Sequence, residues 1–145
     1  MVRAARPIER LGDCRSGASA VEFAFVFPLF IAVLFGIIIY GSYIAIVHGV
    51  QQIAAEAARA AVGGLNDSER VTLARDNIAA NIASYPLITA PRLTLASAAT
   101  DAGTSVFAVT ISYDASDMFI FQLPTFVPGP NKIIVRSAAI QRGGY

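Results

Sequence analysis

Hydrophobic and polar positions divide the chain into three regimes. Residues Phe23 to Val47 (FAFVFPLFIAVLFGIIIYGSYIAIV) form an uninterrupted run without a charge. If helical, at about 1.5 Å per residue, these residues extend about 37 Å, more than the roughly 30 Å hydrocarbon core of a bilayer. The run predicts one membrane-spanning helix. The helix continues past the membrane through Gln51, Gln52, Glu56 and Arg59 to about Val62, where Gly63-Gly64 ends it. Asn66 and Glu69 then stand at capping-box spacing. Val71, Ala74, Ile78, Ile82 and Tyr85 mark one face of a second helix, stopped by Pro86. Its charges, Glu69, Arg70, Arg75 and Asp76, read as a solvated face.

From Arg92 the period changes to two. Leu93 and Leu95 alternate with polar neighbours, as do Phe107, Val109, Ile111 and Tyr113, and Lys132 to Ile140 is a third candidate strand. Met118 to Leu123 is read as an added edge segment, whereas Pro124, Pro128, Gly129 and Pro130 mark the following connection as a loop. The predicted fold class is α+β: a long N-terminal transmembrane helix, then a second helix packed on a small antiparallel β-sheet. The divisions are a leader at 1–17, a transmembrane helix at 18–63 and an extracytoplasmic domain at 64–145.

Charge gives the helix a direction. Arg3, Arg6, Arg10 and Arg15 stand against Glu9 and Asp13 ahead of the run, and the nearest Lys or Arg beyond it is Arg59. The positive-inside bias places Met1 in the cytoplasm and the C-terminal part outside. A secretory signal would carry its small-residue cleavage site after the apolar core, whereas Ser16-Gly17-Ala18 precedes it. Cleavage at Gly17 would remove a basic leader and keep the helix.

Composition narrows the function further. At 55 % hydrophobic residues and net charge +1, with mean hydropathy +0.58, the chain is too apolar for an ordinary soluble domain and has no basic stripe for nucleic acid. The cysteine, Cys14, lies in the leader, so the exported part has no disulfide of its own. A lipidation reading of Cys14 fails because charged residues, not an apolar segment, precede it. His48 has no second histidine or cysteine to complete a metal site. Asp114 and Asp117 invite a catalytic or calcium reading, but no repeated acidic loop accompanies them and aspartates at strand ends are ordinary turn formers. No nucleophile-base pair, phosphate loop or zinc spacing is visible. The expectation is a non-enzyme without cofactor or metal.

Four features of the helix invite function, each beside a plainer reading. Glu22 is either an interfacial acid snorkelling to the headgroups or a paired, functional carboxylate. Cleavage between Gly17 and Ala18 would put a free amine near that carboxylate, and glycine before the cut allows an extended backbone in a protease groove. Pro28 removes one backbone donor, leaves the Ala24 carbonyl without its helical partner and predicts a kink. Gly41, Ala45 and Gly49 recur every four residues, a spacing that suits close helix packing and also arises from alanine-rich composition. Outside the helix, Met118, Phe119, Ile120, Phe121, Phe126 and Val127 either close the small core or form a patch for a partner or the membrane surface.

The stretch RSGASAVEFAFVFPLFIAVLFGIIIYG with the downstream QQIAAEAARAA resembles the TadE-like family, pseudopilins of the tight-adherence (Flp) type IV pilus system. The resemblance spans about residues 14–62. It implies a pilin-like helix, cleavage after Gly17 by a prepilin peptidase, and Glu22 and Phe23 as assembly and recognition residues. Major pilins of that system usually carry tyrosine where Phe23 stands and are far shorter, so the resemblance implies a minor pseudopilin supporting pilus biogenesis, adhesion and biofilm formation. The implied partners are the peptidase, other pilins or pseudopilins and inner-membrane pilus assembly proteins. The implied location is the bacterial inner membrane, single-pass, with the C-terminal part periplasmic and at the cell surface after assembly. The competing reading is an unprocessed, permanently anchored scaffold or binding protein.

Overall fold

The structure, a computed structural model, describes residues 15–101, 103–122 and 130–141. Leader residues 1–14, including Arg3, Arg6, Arg10 and Cys14, lie outside the described residues, as do Leu123, Phe126 and Val127 and the prolines at 124 and 128. Helix α1 runs Arg15–Ala60 and helix α2 Asp67–Asn81, followed by β1 (Leu93–Thr100), β2 (Val106–Asp114) and β3 (Ile133–Gln141). The strands form one antiparallel sheet in the order β1-β2-β3. This is the expected α+β architecture: a long apolar helix, a second helix and a three-stranded sheet. The chain divides into two compact units, Met1–Ile38 and Ile39–Tyr145.

The first unit, as described, is the N-terminal part of α1. Its apolar side chains are largely exposed: Phe25 is 79 % and Leu29 67 % exposed. A soluble protein does not leave a contiguous apolar surface of this kind in water. Of the described segments, one is long and apolar enough to cross a membrane, and its most apolar window is entirely unburied.

The second unit has a real core, and the rest of α1 belongs to it. Ile46, Val50, Ile53, Ala54, Ala57, Ala58 and Ala61 are buried at three- and four-residue spacing, one stripe of a helix. They cluster with Ala74 and Ile78 of α2 and with Phe107, Val109, Ile111 and Tyr113 of β2. The sheet therefore meets the C-terminal half of α1 as well as α2. Alanines on the stripe keep the helix surface low, which leaves room for the large β2 side chains. Gly49 serves the same end. A Cβ there would lie 2.8 Å from the Ile88 side chain, inside contact distance.

The turn between the helices follows its expected chemistry. After a 3-10 turn at Ala61–Gly63, the Asn66 side chain accepts from the Glu69 amide at 2.9 Å and caps α2. The Glu69 carboxylate reaches back to the Leu65 amide at 2.8 Å, one residue beyond the position a capping box would use. α2 ends in a 3-10 turn at Ile82–Ser84, just ahead of Pro86.

In the sheet, β2 is the central strand and its residues alternate strictly between buried and half-buried. The alternation in β1 changes phase. Leu95 faces Ile111 and Ser97 faces Thr110, so Ala96 is an extra residue, a β-bulge. Leu93 and Leu95 lie on the core side before the bulge and Ala98 after it. Without the bulge, Ser97 and Ala99 would turn inward. On β3, Arg136 lies between the core-side residues Ile134 and Ala138 and donates to the Val135 carbonyl at 2.8 Å. Gln51 donates to the Ser137 carbonyl at 3.2 Å. Two edge carbonyls are thus occupied by side chains, which hinders addition of another strand. The described part of the expected edge segment Met118 to Leu123 is not a strand. Phe119–Phe121 is a 3-10 turn that tucks Ile120 into the core and leaves Phe119 exposed. Met118 and Phe121 pack against the core. An isolated run of large apolar residues gives no phase, so helical-turn and strand readings fit it equally.

Candidate functional site

The N-terminal turns of α1 carry the residues singled out in the sequence. Gly17 and Ala18 are helical, inside the first turn of an element that begins at Arg15, and nothing approaches within 4 Å of a Cβ built on Gly17. Glu22 is one helical turn beyond Ala18 and is exposed. At about 1.5 Å of rise per residue, positions 18 and 22 are about 6 Å apart along the axis and share a face. Phe23 is also exposed, and its ring lies 5.3 Å from that of Phe27. Helix α1 continues through Pro28. Proline has no N–H, so the Ala24 carbonyl lacks the donor it would ordinarily receive.

A free amine at this end of a helix is disfavoured by the macrodipole, whereas a carboxylate in the first turns is favoured. An Ala18 amine would therefore need a counter-charge. Glu22 is the nearest carboxylate downstream in the sequence, and the next is Glu56.

The small-residue positions fare differently from one another. Gly41 and Ala45 are exposed, with open space where a Gly41 Cβ would stand, whereas Gly49 is taken up by Ile88 within the same unit.

Asp114 and Asp117 have structural partners. Asp117 is ion-paired with Arg92, whose guanidinium also donates to the Asp114 carbonyl at 3.5 Å. The Asp114 carboxylate accepts from the Ser116 amide at 2.9 Å. Hydrogen bonds from the Ser116 side chain and backbone hold its pKa below the ordinary value, opposed by a little desolvation and helped by Arg92 and Lys132. Arg92, Asp114 and Asp117 line an open cavity of about 320 Å³ with Ile46, Leu87 and Met118. Arg92 was not legible as a partner in the sequence: it is separated from Asp117 by two strands and a turn, and a lone arginine ahead of a strand carries no signal of that pairing. Tyr85 is the other shifted group. Burial, then the Glu56 carboxylate beside it, push its hydroxyl up. Among the described residues no group of three histidine, cysteine, aspartate or glutamate side chains could hold a metal. His48 is exposed.

The helix and the sheet unit together define a class: one membrane-capable N-terminal helix joined to a small α+β unit. Residues 17–59 match the family model described as TadE-like protein. The match begins at Gly17, includes Glu22, Phe23 and Pro28, and ends one residue before α1 does. No curated protein and no solved structure matches the chain.

Proposed function

We propose that the chain is a minor pseudopilin of a tight-adherence (Flp) pilus system, anchored in the bacterial inner membrane and cut after Gly17 by a prepilin peptidase. The observation that carries this reading is the TadE-like match over 17–59, which includes a Gly-Ala junction one helical turn ahead of an exposed Glu22. The basic residues ahead of the span put the N-terminus in the cytoplasm and the α+β unit outside.

The hydrocarbon-spanning part is shorter than the uncharged run. Tyr43 donates to the Asn131 carbonyl at 3.1 Å and packs edge-on to Phe121, and such polar surroundings are not placed in acyl chains. Counting back about 20 residues from Tyr40 reaches Val21. Glu22 then stands at the inner boundary of the hydrocarbon, where snorkelling is cheap before assembly. In an assembled bundle, the Ala18 amine of one subunit meets the Glu22 carboxylate of a neighbour. The two charges enter a low-dielectric environment as a pair and fix the axial register between subunits. The absence of a donor for the Ala24 carbonyl, four residues before Pro28, lets the first turns adjust as the helix leaves lipid. The chain acts as a structural component supporting adhesion and biofilm formation, and its partners are other pilins, pseudopilins and inner-membrane assembly proteins.

The test is Glu22→Ala in the native host, with membrane insertion checked by carbonate extraction. The expected result is normal insertion with loss of co-purification with pilus components, partly restored in Glu22→Asp. Undiminished co-purification of Glu22→Ala would remove the pairing role.

A further inference from the structure

The second unit concentrates exposed apolar side chains around the turn of α1 at which the chain leaves it for the span. Tyr43 is tied to Asn131 and Phe121, and one turn further on Ile46 shares a cavity with Leu87 and Met118. The Ala115 amide donates to the Lys132 carbonyl at 2.8 Å, joining the loop ahead of Phe119 to the start of β3, and Ile133 is paired with Asp114. Leu87, Phe119 and Ile133 are therefore in or next to the segments that meet the helix at residues 43–46, and each is at least half exposed. Val62 and Leu65, also exposed, belong to the other end of the helix, about 28 Å along its axis by rise per residue.

We propose that Leu87, Phe119 and Ile133 insert into the headgroup–acyl boundary of the same bilayer that the helix crosses, seating the α+β unit on the membrane surface. The inference rests on the reading of α1 as a span. Three observations favour lipid over a protein partner. The span ends within about one turn of Tyr43, which belongs to the unit that carries these side chains, so they are tethered to the bilayer and need no second association step. The charges at this end cancel: Arg92 and Lys132 stand against Asp114 and Asp117, and the Arg92–Asp117 pair is made within the unit, so insertion desolvates little unpaired charge. Lys132 has its ammonium 5.9 Å from the Phe121 ring, the aromatic-and-lysine combination that snorkelling anchors use at bilayer interfaces. Binding is therefore apolar and independent of anionic lipid.

The chain contains no tryptophan, so single-tryptophan reporters of the full-length protein in phosphatidylcholine vesicles read depth directly. Phe119→Trp is expected to be quenched several-fold more than Val62→Trp by lipids brominated near the headgroup end of the acyl chain, at every protein-to-lipid ratio. Equal exposure of both reporters to aqueous iodide would overturn the proposal. Protection of Phe119→Trp that is lost when the protein is diluted in lipid would overturn it in favour of a second copy of the chain. A third reporter, Phe30→Trp, separates the two levels of the argument. Deep quenching of Phe30→Trp while the Phe119→Trp reporter stays open to iodide sinks the docking alone, and no lipid quenching of Phe30→Trp sinks the span and the docking together.

Discussion

Gly64 joins the end of α1 to α2 with an ordinary extended backbone, φ −75° and ψ 135°, so left-handed geometry is not what requires glycine. Space is. A Cβ at this position would lie 2.6 Å from the Arg70 Cγ and 2.8 Å from its amide nitrogen. The side chain can move but the amide in the first turn of α2 cannot without shifting the helix. Gly64→Ala is expected to destabilise the second unit by about 1–3 kcal/mol, the usual range for overpacking, read from urea unfolding of the full chain in detergent. Two titrating groups give the same measurement a pH signature. The folded pKa of Asp114 lies below its ordinary 3.8, so its contribution is complete above that value and disappears as pH falls through the folded pKa. Tyr85 is raised above 10.0. Its contribution is complete below that value and is lost as pH rises through the folded pKa. Asp114→Asn should flatten only the acid limb of the stability profile and Tyr85→Phe only the alkaline limb. A change on the opposite limb in either variant would contradict the assignments.

Elements show where local sequence sufficed and where it did not. The Asn66 cap and the strict alternation of Phe107, Val109, Ile111 and Tyr113 were legible because each is a short-range signal with one structural meaning. The bulge at Ala96 was not. LTLASAAT carries small residues on both phases after Leu95, so neither phase is marked as core. Its consequence is testable. Deleting Ala96 removes the unpaired residue and leaves Leu95 opposite Ile111 and Ser97 opposite Thr110, so Leu93, Leu95 and Ala98 all keep the core side and the expected loss of stability is about 1 kcal/mol or less. A urea midpoint close to that of the unaltered chain fits that register, while loss of cooperative unfolding would contradict it. The run Ile39 to Val47 was ambiguous for a different reason. Membrane and protein core both select apolar residues, so hydropathy alone cannot show that Ile46 belongs to the α+β core or that Tyr43 meets Asn131.

At the scale of the whole molecule, one helix serves two solvents. Its first half has largely exposed apolar side chains, and its second half supplies the stripe that the sheet and α2 cover. Gly17, Ala18 and Glu22 could be singled out from the sequence because their order and spacing are local. The family match covers the same stretch, whereas most of the α+β unit lies beyond it. The Gly17–Ala18 bond lies within the first turn of α1, so a peptidase must unwind that turn to reach it, and glycine lowers the cost of doing so. The most direct test of the central claim is the intact mass and N-terminal peptide of the protein purified from native membranes with and without the host's prepilin peptidase. The account predicts a chain beginning at Ala18 only when the peptidase is present. A chain retaining residues 1–17 in both backgrounds would contradict it and leave a permanently anchored scaffold in its place.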